Sequence, residues 1–132
     1  MKDRLRNPGR RPLLGLGVGL FLGVAFASRL RAAPRLQLLM IRRKGCAYCA
    51  QWDSEIAPIY ADHPEGRAAP LLMVDVNGPY PDGLALDRMP WLTPGFILLR
   101  DGIEVTRYEG YPGEAHFFPM LRKMLAAARQ AG

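Results

Sequence analysis

The chain's only two cysteines stand three positions apart, in Cys46-Ala47-Tyr48-Cys49, and their setting constrains the fold more than any other feature. Leu36 to Arg42 is a short apolar run bounded by charge, which reads as a central strand. Arg42-Arg43-Lys44-Gly45 is a turn, and from Cys46 to about Ala61 the pattern is helical, with Trp52, Ile56 and Ile59 at three- and four-residue spacing. A strand therefore feeds a helix whose first turn carries both sulfurs. Unpaired N–H groups and the positive end of the helix dipole favour a thiolate at the first cysteine. The second, one turn on, is placed to resolve a mixed disulfide. Taken alone, the pair is a redox dithiol, half of a metal site or an inert link.

A length of 132 residues allows one domain, and 49% hydrophobic content allows one modest core. The formal charge of +6 points towards nucleic acid or a membrane surface until its position is considered. Residues 1–27 carry a net +4, whereas the remainder holds 13 basic and 11 acidic side chains. A nearly balanced globular part argues against nucleic-acid binding. The basic segment ending at Arg11 precedes an apolar stretch, Leu13 to Ala27, that closes on the small-x-small pattern Ala25-Phe26-Ala27. That is the layout of a secretory signal peptide. With 15 residues and four glycines it is short for a spanning helix, which needs about 20. Residues 1–27 are accordingly a signal peptide, with an uncleaved inner-membrane anchor as the alternative, and a second cleavage point lies near Ala32-Ala33. Arg10-Arg11 is a partial match to the twin-arginine route. Export to the periplasm would place the dithiol in an oxidising space, where its redox state has to be managed.

After a connector at 28–35, the domain at 36–132 reads as strand, helix, strand, strand, strand, helix. Pro58 should kink or split the first helix, and Asp62-His63-Pro64-Glu65-Gly66 is loop chemistry. Leu71 to Val76 is the second strand, parallel to the first through a right-handed crossover. Residues 77–93 are turn-rich, with a short helix expected near Gly83 to Arg88. Gly95 to Arg100 and Ile103 to Tyr108 form a hairpin about Asp101-Gly102. A terminal helix spans about Ala115 to Arg129, with Pro119 tolerated only in its first turn.

The chemistry narrows from there. Zinc needs about four ligands, yet beyond the two cysteines there are only His63 and His116, neither at ligand-like spacing, and the six methionines form no cluster. Cys46 is the candidate nucleophile, with Arg42, Arg43 and Lys44 beside it to favour the thiolate and to attract an anionic partner. Cys49 is the candidate resolving thiol. Trp52 and Trp91 read as packing near the site, and Asp53 and Glu55 as a solvated helix face. Asp75 reads as a strand-end residue in water, with a buried acid near the dithiol as the alternative.

Together with Thr93-Pro94-Gly95-Phe96, the Asp101-Gly102 hairpin and Gly110-Tyr111-Pro112-Gly113, the cysteine motif resembles the thioredoxin-fold thiol–disulfide oxidoreductases over about residues 36–128. Glu55-Ile56-Ala57-Pro58-Ile59-Tyr60, and Gly110-Tyr111-Pro112-Gly113 followed by Phe117-Phe118, are more narrowly similar to the small exported SoxS proteins that accompany bacterial sulfur-oxidation clusters. The resemblance implies an α/β fold with a minimal thioredoxin-like core, βαβ-ββα, and a four-stranded mixed sheet with flanking helices. It also implies a cis bond at Thr93–Pro94 facing the dithiol, and substrate contacts from Tyr48, Trp91, Thr93 and Pro94. The implied activity is exchange of disulfides with a protein partner, keeping a partner cysteine reduced, such as that of a sulfur-carrier protein. It implies a monomer supplied by a membrane electron donor, with no cofactor beyond the Cys46/Cys49 couple. The chain departs from thioredoxin itself in having Met40 where that family places a buried carboxylate. It also lacks the Gly-Gly-x-x-Asp with which glutaredoxins hold glutathione. A copper-chaperone-like metal handler and a non-catalytic binding module are the alternative functions.

Overall fold

The structure is a computed structural model that describes residues 33–131 together with Gly15. The rest of residues 1–27 and most of the 28–35 connector lie outside the described residues. A four-stranded mixed sheet has the order β2-β1-β3-β4, formed by β1 (Leu36–Arg42), β2 (Leu71–Asp75), β3 (Gly95–Arg100) and β4 (Ile103–Glu109). β1 runs parallel to β2 and antiparallel to β3, and β3 is antiparallel to β4. The continuous apolar runs of β1 and β3 become the two central strands because both of their faces are covered. On one face Leu38, Met40, Phe96 and Leu98 pack against Cys49, Trp52, Ile56, Phe117 and Leu121. On the other, Leu39, Ile41, Ile97 and Leu99 cluster with Val74 of β2 and with Val76, and Tyr80, Leu84 and Leu86 pack against them. The thioredoxin-like α/β architecture expected from the sequence is the one observed.

The helices are α1 (Ala47–Glu55), α2 (Ala57–Tyr60), α3 (Pro64–Ala68) and α4 (Glu114–Gln130). The single helix expected to reach Ala61 is broken at Ile56, two residues before Pro58, which lacks the N–H to continue it. Three other expectations are corrected. Pro119 lies inside α4, past its first turn. The segment Asp62–Gly66 is not only loop, since Pro64 starts α3 at a first-turn position where a missing N–H costs nothing. Residues 83–88 form no helix: Ala85 instead makes an isolated parallel bridge to Ile103. Its N–H donates to the Gly102 carbonyl and its carbonyl accepts from the Glu104 N–H, both at 2.9 Å. Residues 77–94 thus form a strap that crosses one sheet face, reaches the outer edge of β4 and returns to the start of β3. Such a strap blunts an edge strand that would otherwise offer unpaired backbone groups.

β4 carries an irregularity with consequences for that strap. Leu98 stands opposite Thr106 but Leu99 opposite Glu104, so Val105 is an extra residue in a β-bulge. On a regular strand, residues three apart point to opposite faces. The bulge reverses that parity and puts Glu104 and Arg107 on the same side, opposite Leu99 and Ile97.

Candidate active site

β1 ends at Arg42, and a tight turn delivers Cys46 to the start of α1. The Cys46 N–H donates to the Arg43 carbonyl at 3.3 Å, and Gly45 lies at φ +78°, the positive value that such a turn requires of its third residue. Cys46 is the N-cap of α1, with extended backbone, and its Sγ accepts the Cys49 N–H at 3.2 Å. The two sulfurs are joined as a disulfide. Their surroundings differ: Cys46 is half-buried, whereas Cys49 is 1% exposed within the core of α1, α4 and the sheet. Neighbouring Tyr48 projects into solvent.

A cleft of about 650 Å³ opens beside the disulfide, lined in part by Arg42, Arg43, Lys44, Cys46, Met73 and Asp75. The charges within it are partly matched. Arg42 reaches across from β1 to Asp53 on α1 with two hydrogen bonds, of 2.8 and 2.6 Å. These bonds hold the Asp53 carboxyl below the usual carboxylate range, against a smaller opposing effect of burial. Asp53 is therefore an ion-pair partner rather than a merely solvated residue. Glu55 likewise accepts a hydrogen bond from the Tyr111 hydroxyl, joining the end of α1 to the loop between β4 and α4. Asp75 is exposed, and its carboxylate accepts the Asn77 N–H at 2.8 Å, so the alternative of a buried acid is overturned. Met40 is fully buried in the same apolar cluster as Cys49.

The antiparallel pairing of Ile41 with Gly95 brings the start of β3 to the sheet end that carries the disulfide. Thr93 and Pro94 thereby stand at that end, and the peptide bond between them is cis. Pro94 is buried and its carbonyl accepts the Gly110 N–H at 2.8 Å. Among the described residues, the Thr93 backbone N–H and C=O pair with no other backbone group. Trp91 is 66% exposed, which corrects its reading as a packing residue, whereas Trp52 is fully buried under the helix. The elements therefore bring Cys46, Cys49, Tyr48, Thr93 and Pro94 to one end of the sheet. Residue types alone did not reveal the Arg42–Asp53 pair or the Tyr111–Glu55 bond. Their signal was weak: opposite charges eleven positions apart, and a tyrosine in a Gly/Pro turn.

Among the described residues no group of three or more His, Cys, Asp or Glu side chains is arranged to hold a metal. No helix among them is long and apolar enough to cross a membrane. What the site can do is form and break the Cys46–Cys49 bond while one sulfur meets a partner.

No family model and no curated protein matches the chain. Among solved structures it is similar to the reduced form of the periplasmic thioredoxin SoxS from Paracoccus pantotrophus. The two are 48% identical over 71% of this chain and 99% of that one, with a TM-score of 0.69. It also matches Fasciola hepatica thioredoxin, at 18% identity over 68% of this chain and 81% of that one, with a TM-score of 0.48. Thioredoxin-2 of the malaria parasite matches at 16% identity over 70% and 86%, with a TM-score of 0.49. These two matches are too loose to carry an argument. With nearly the whole length of the bacterial structure matched at that identity and the disulfide at the head of α1, the chain belongs to the SoxS-type thioredoxin-like family and is a thiol–disulfide oxidoreductase.

Proposed function

We propose that this protein is an exported, periplasmic reductant that keeps a cysteine of a protein partner in its working, reduced state. The partner we favour is a sulfur-carrier protein of a sulfur-oxidation system. Residues 1–27 serve as the leader or as an anchor, 28–35 as a connector, and 36–132 as the working domain. The observation that carries the reading is the asymmetry of the cysteine pair: one sulfur half-buried at a helix N-cap, the other sealed in the core. An entering disulfide can meet only the first.

In the reduced protein the Cys46 thiolate is stabilised by the Cys49 N–H and by the start of α1. It attacks one sulfur of the partner's disulfide; that bond breaks and the other partner sulfur leaves as a thiolate. Cys49, once deprotonated, attacks Cys46 Sγ, and the second partner thiolate departs. Two electrons have passed to the partner, and the Cys46–Cys49 disulfide remains. A membrane-bound dithiol donor must return them. The unpaired Thr93 backbone lies beside Pro94 to take an extended partner segment as an added strand. Exposed Tyr48, Met89 and Trp91 supply the apolar contacts that a protein partner needs and a small thiol does not.

A trapping experiment tests the roles. Cys49→Ser is expected to accumulate mixed disulfides through Cys46, and Cys46→Ser none. Trapping by Cys46→Ser instead would reverse the assignment. The reduced wild-type chain should reduce insulin disulfides. A stoichiometric bound metal without insulin reduction would point to metal handling, and an unchanged phenotype with Cys46→Ala to a docking module.

A further inference from the structure

Beyond the Ala85 bridge, the strap at 77–94 is fastened at two further places, and the first is an ion pair taken out of water. Glu104 and Arg107, brought to one face by the bulge, have side chains only 1% and 8% exposed. Arg107 Nε donates to Glu104 Oε1 at 2.6 Å and its Nη2 to Glu104 Oε2 at 2.7 Å. Both partners also hold the backbone of the strap. Glu104 Oε2 accepts the Asp87 N–H at 2.8 Å, and Arg107 Nη2 donates to the Arg88 carbonyl at 2.8 Å. Arg88 in turn pairs with Glu109 on β4. The second fastening is the Gly110 N–H on the Pro94 carbonyl. Between these two points the arc from Met89 to Thr93 carries exposed Met89 and Trp91.

An ion pair is an expensive way to cover a strand edge. Desolvating two charges is costly, and well-packed apolar residues of similar volume often do as well or better for stability. Apolar residues, however, could not grip an N–H and a carbonyl on consecutive strap residues. What the charges add is a fixed position for the arc.

We propose that the Glu104–Arg107 pair is a positioning device for substrate recognition. By holding the backbone of Asp87 and Arg88 it sets where Trp91 stands and how the arc leads into Thr93, at the sheet end that carries the dithiol. It thereby governs affinity for protein disulfides without entering the chemistry of the sulfurs. This inference rests on the reading of Trp91 and Thr93 as substrate contacts.

The test compares two disulfides on the full reduced chain: insulin, which needs the arc, and 5,5′-dithiobis(2-nitrobenzoic acid), which is too small to need it. Glu104→Gln and Arg107→Lys are each expected to raise KM for insulin about fivefold or more, while kcat and the rate with the small disulfide stay within about twofold. Trp91→Ala should raise the same KM, and Glu104→Gln added to it should raise KM by a smaller factor than it does in the wild type, since part of its effect acts through Trp91. Should Arg107→Lys not fold, the near-isosteric Glu104→Gln and the exposed Trp91→Ala carry the cycle alone. Equal losses with both disulfides, an unchanged KM, or fully additive effects would overturn the inference. A wild-type chain that reduces the small disulfide but not insulin would instead sink the proposed function itself.

Discussion

At the level of single residues, the contrast between Trp52 and Trp91 separates support from recognition. Trp52 sits three residues after Cys49 on α1, fully buried, with ring centroids 5.9 to 6.1 Å from Phe117, Phe96 and Tyr60. Trp52→Ala should cost about 3–5 kcal/mol by removing a large core side chain directly beneath the dithiol. Trp52→Phe should cost distinctly less, because the indole N–H has no acceptor to lose. Urea unfolding of the two variants measures the difference; equal costs would mean that the ring's bulk is not what matters. Helical spacing from Ile56 pointed to the core for Trp52. Nothing local distinguished Trp91, whose exposure follows from the strap that carries it. The same holds for Asp53 and Glu55, whose partners Arg42 and Tyr111 come from other elements.

Among the elements, the β3–β4 hairpin ties the strap to the sheet. Its turn places Asp101 at φ 52° and Gly102 at φ 81°, the paired positive values of a primed two-residue hairpin. A Cβ on Gly102 would fall 2.5 Å from the Gly83 carbonyl oxygen, so Gly102→Ala meets both backbone strain and the strap. The strain alone costs about 1–2 kcal/mol, and Tm should fall by roughly 4–8 °C per kcal/mol for a domain of this size. A thermal scan with Tm unchanged would mean that the turn and strap relax freely. The Asp-Gly pair made the hairpin legible from sequence, as the continuous apolar runs made β1, β2 and β3 legible. The bulge at Val105 was not, since period-two alternation has no signal for one inserted residue. α3 was missed because five residues carry too little periodicity to register, and its Pro64 reads equally well as loop.

For the whole molecule, the charges that bridge elements predict how stability follows pH. The Glu104 carboxyl is pushed up by burial, but the hydrogen bonds from Arg107 and the Asp87 N–H and the charges of Arg107 and Arg88 outweigh this and leave it below its ordinary value. The carboxyls of Asp53 and Glu65 are also lowered, chiefly by hydrogen bonds from Arg42 and Arg122. Groups lowered on folding contribute stability that is present above their unfolded pKa, about 4, and lost as pH falls through the folded values. The urea midpoint should therefore drop between pH 6 and pH 3, and the gap between wild type and Glu104→Gln should narrow in acid. A midpoint that rose on acidification would contradict the ion-pair account. The order of strands along the chain, the dithiol at the head of a helix and the proline before β3 could all be read without the fold. Each is a local pattern: an apolar run, a three-residue spacing, a turn dipeptide. The fold alone fixed where Trp91 faces and that Glu104 meets Arg107 across a bulge to hold the strap. Burial and cross-element pairing depend on register and on what packs above each strand, which no window of neighbouring residues contains.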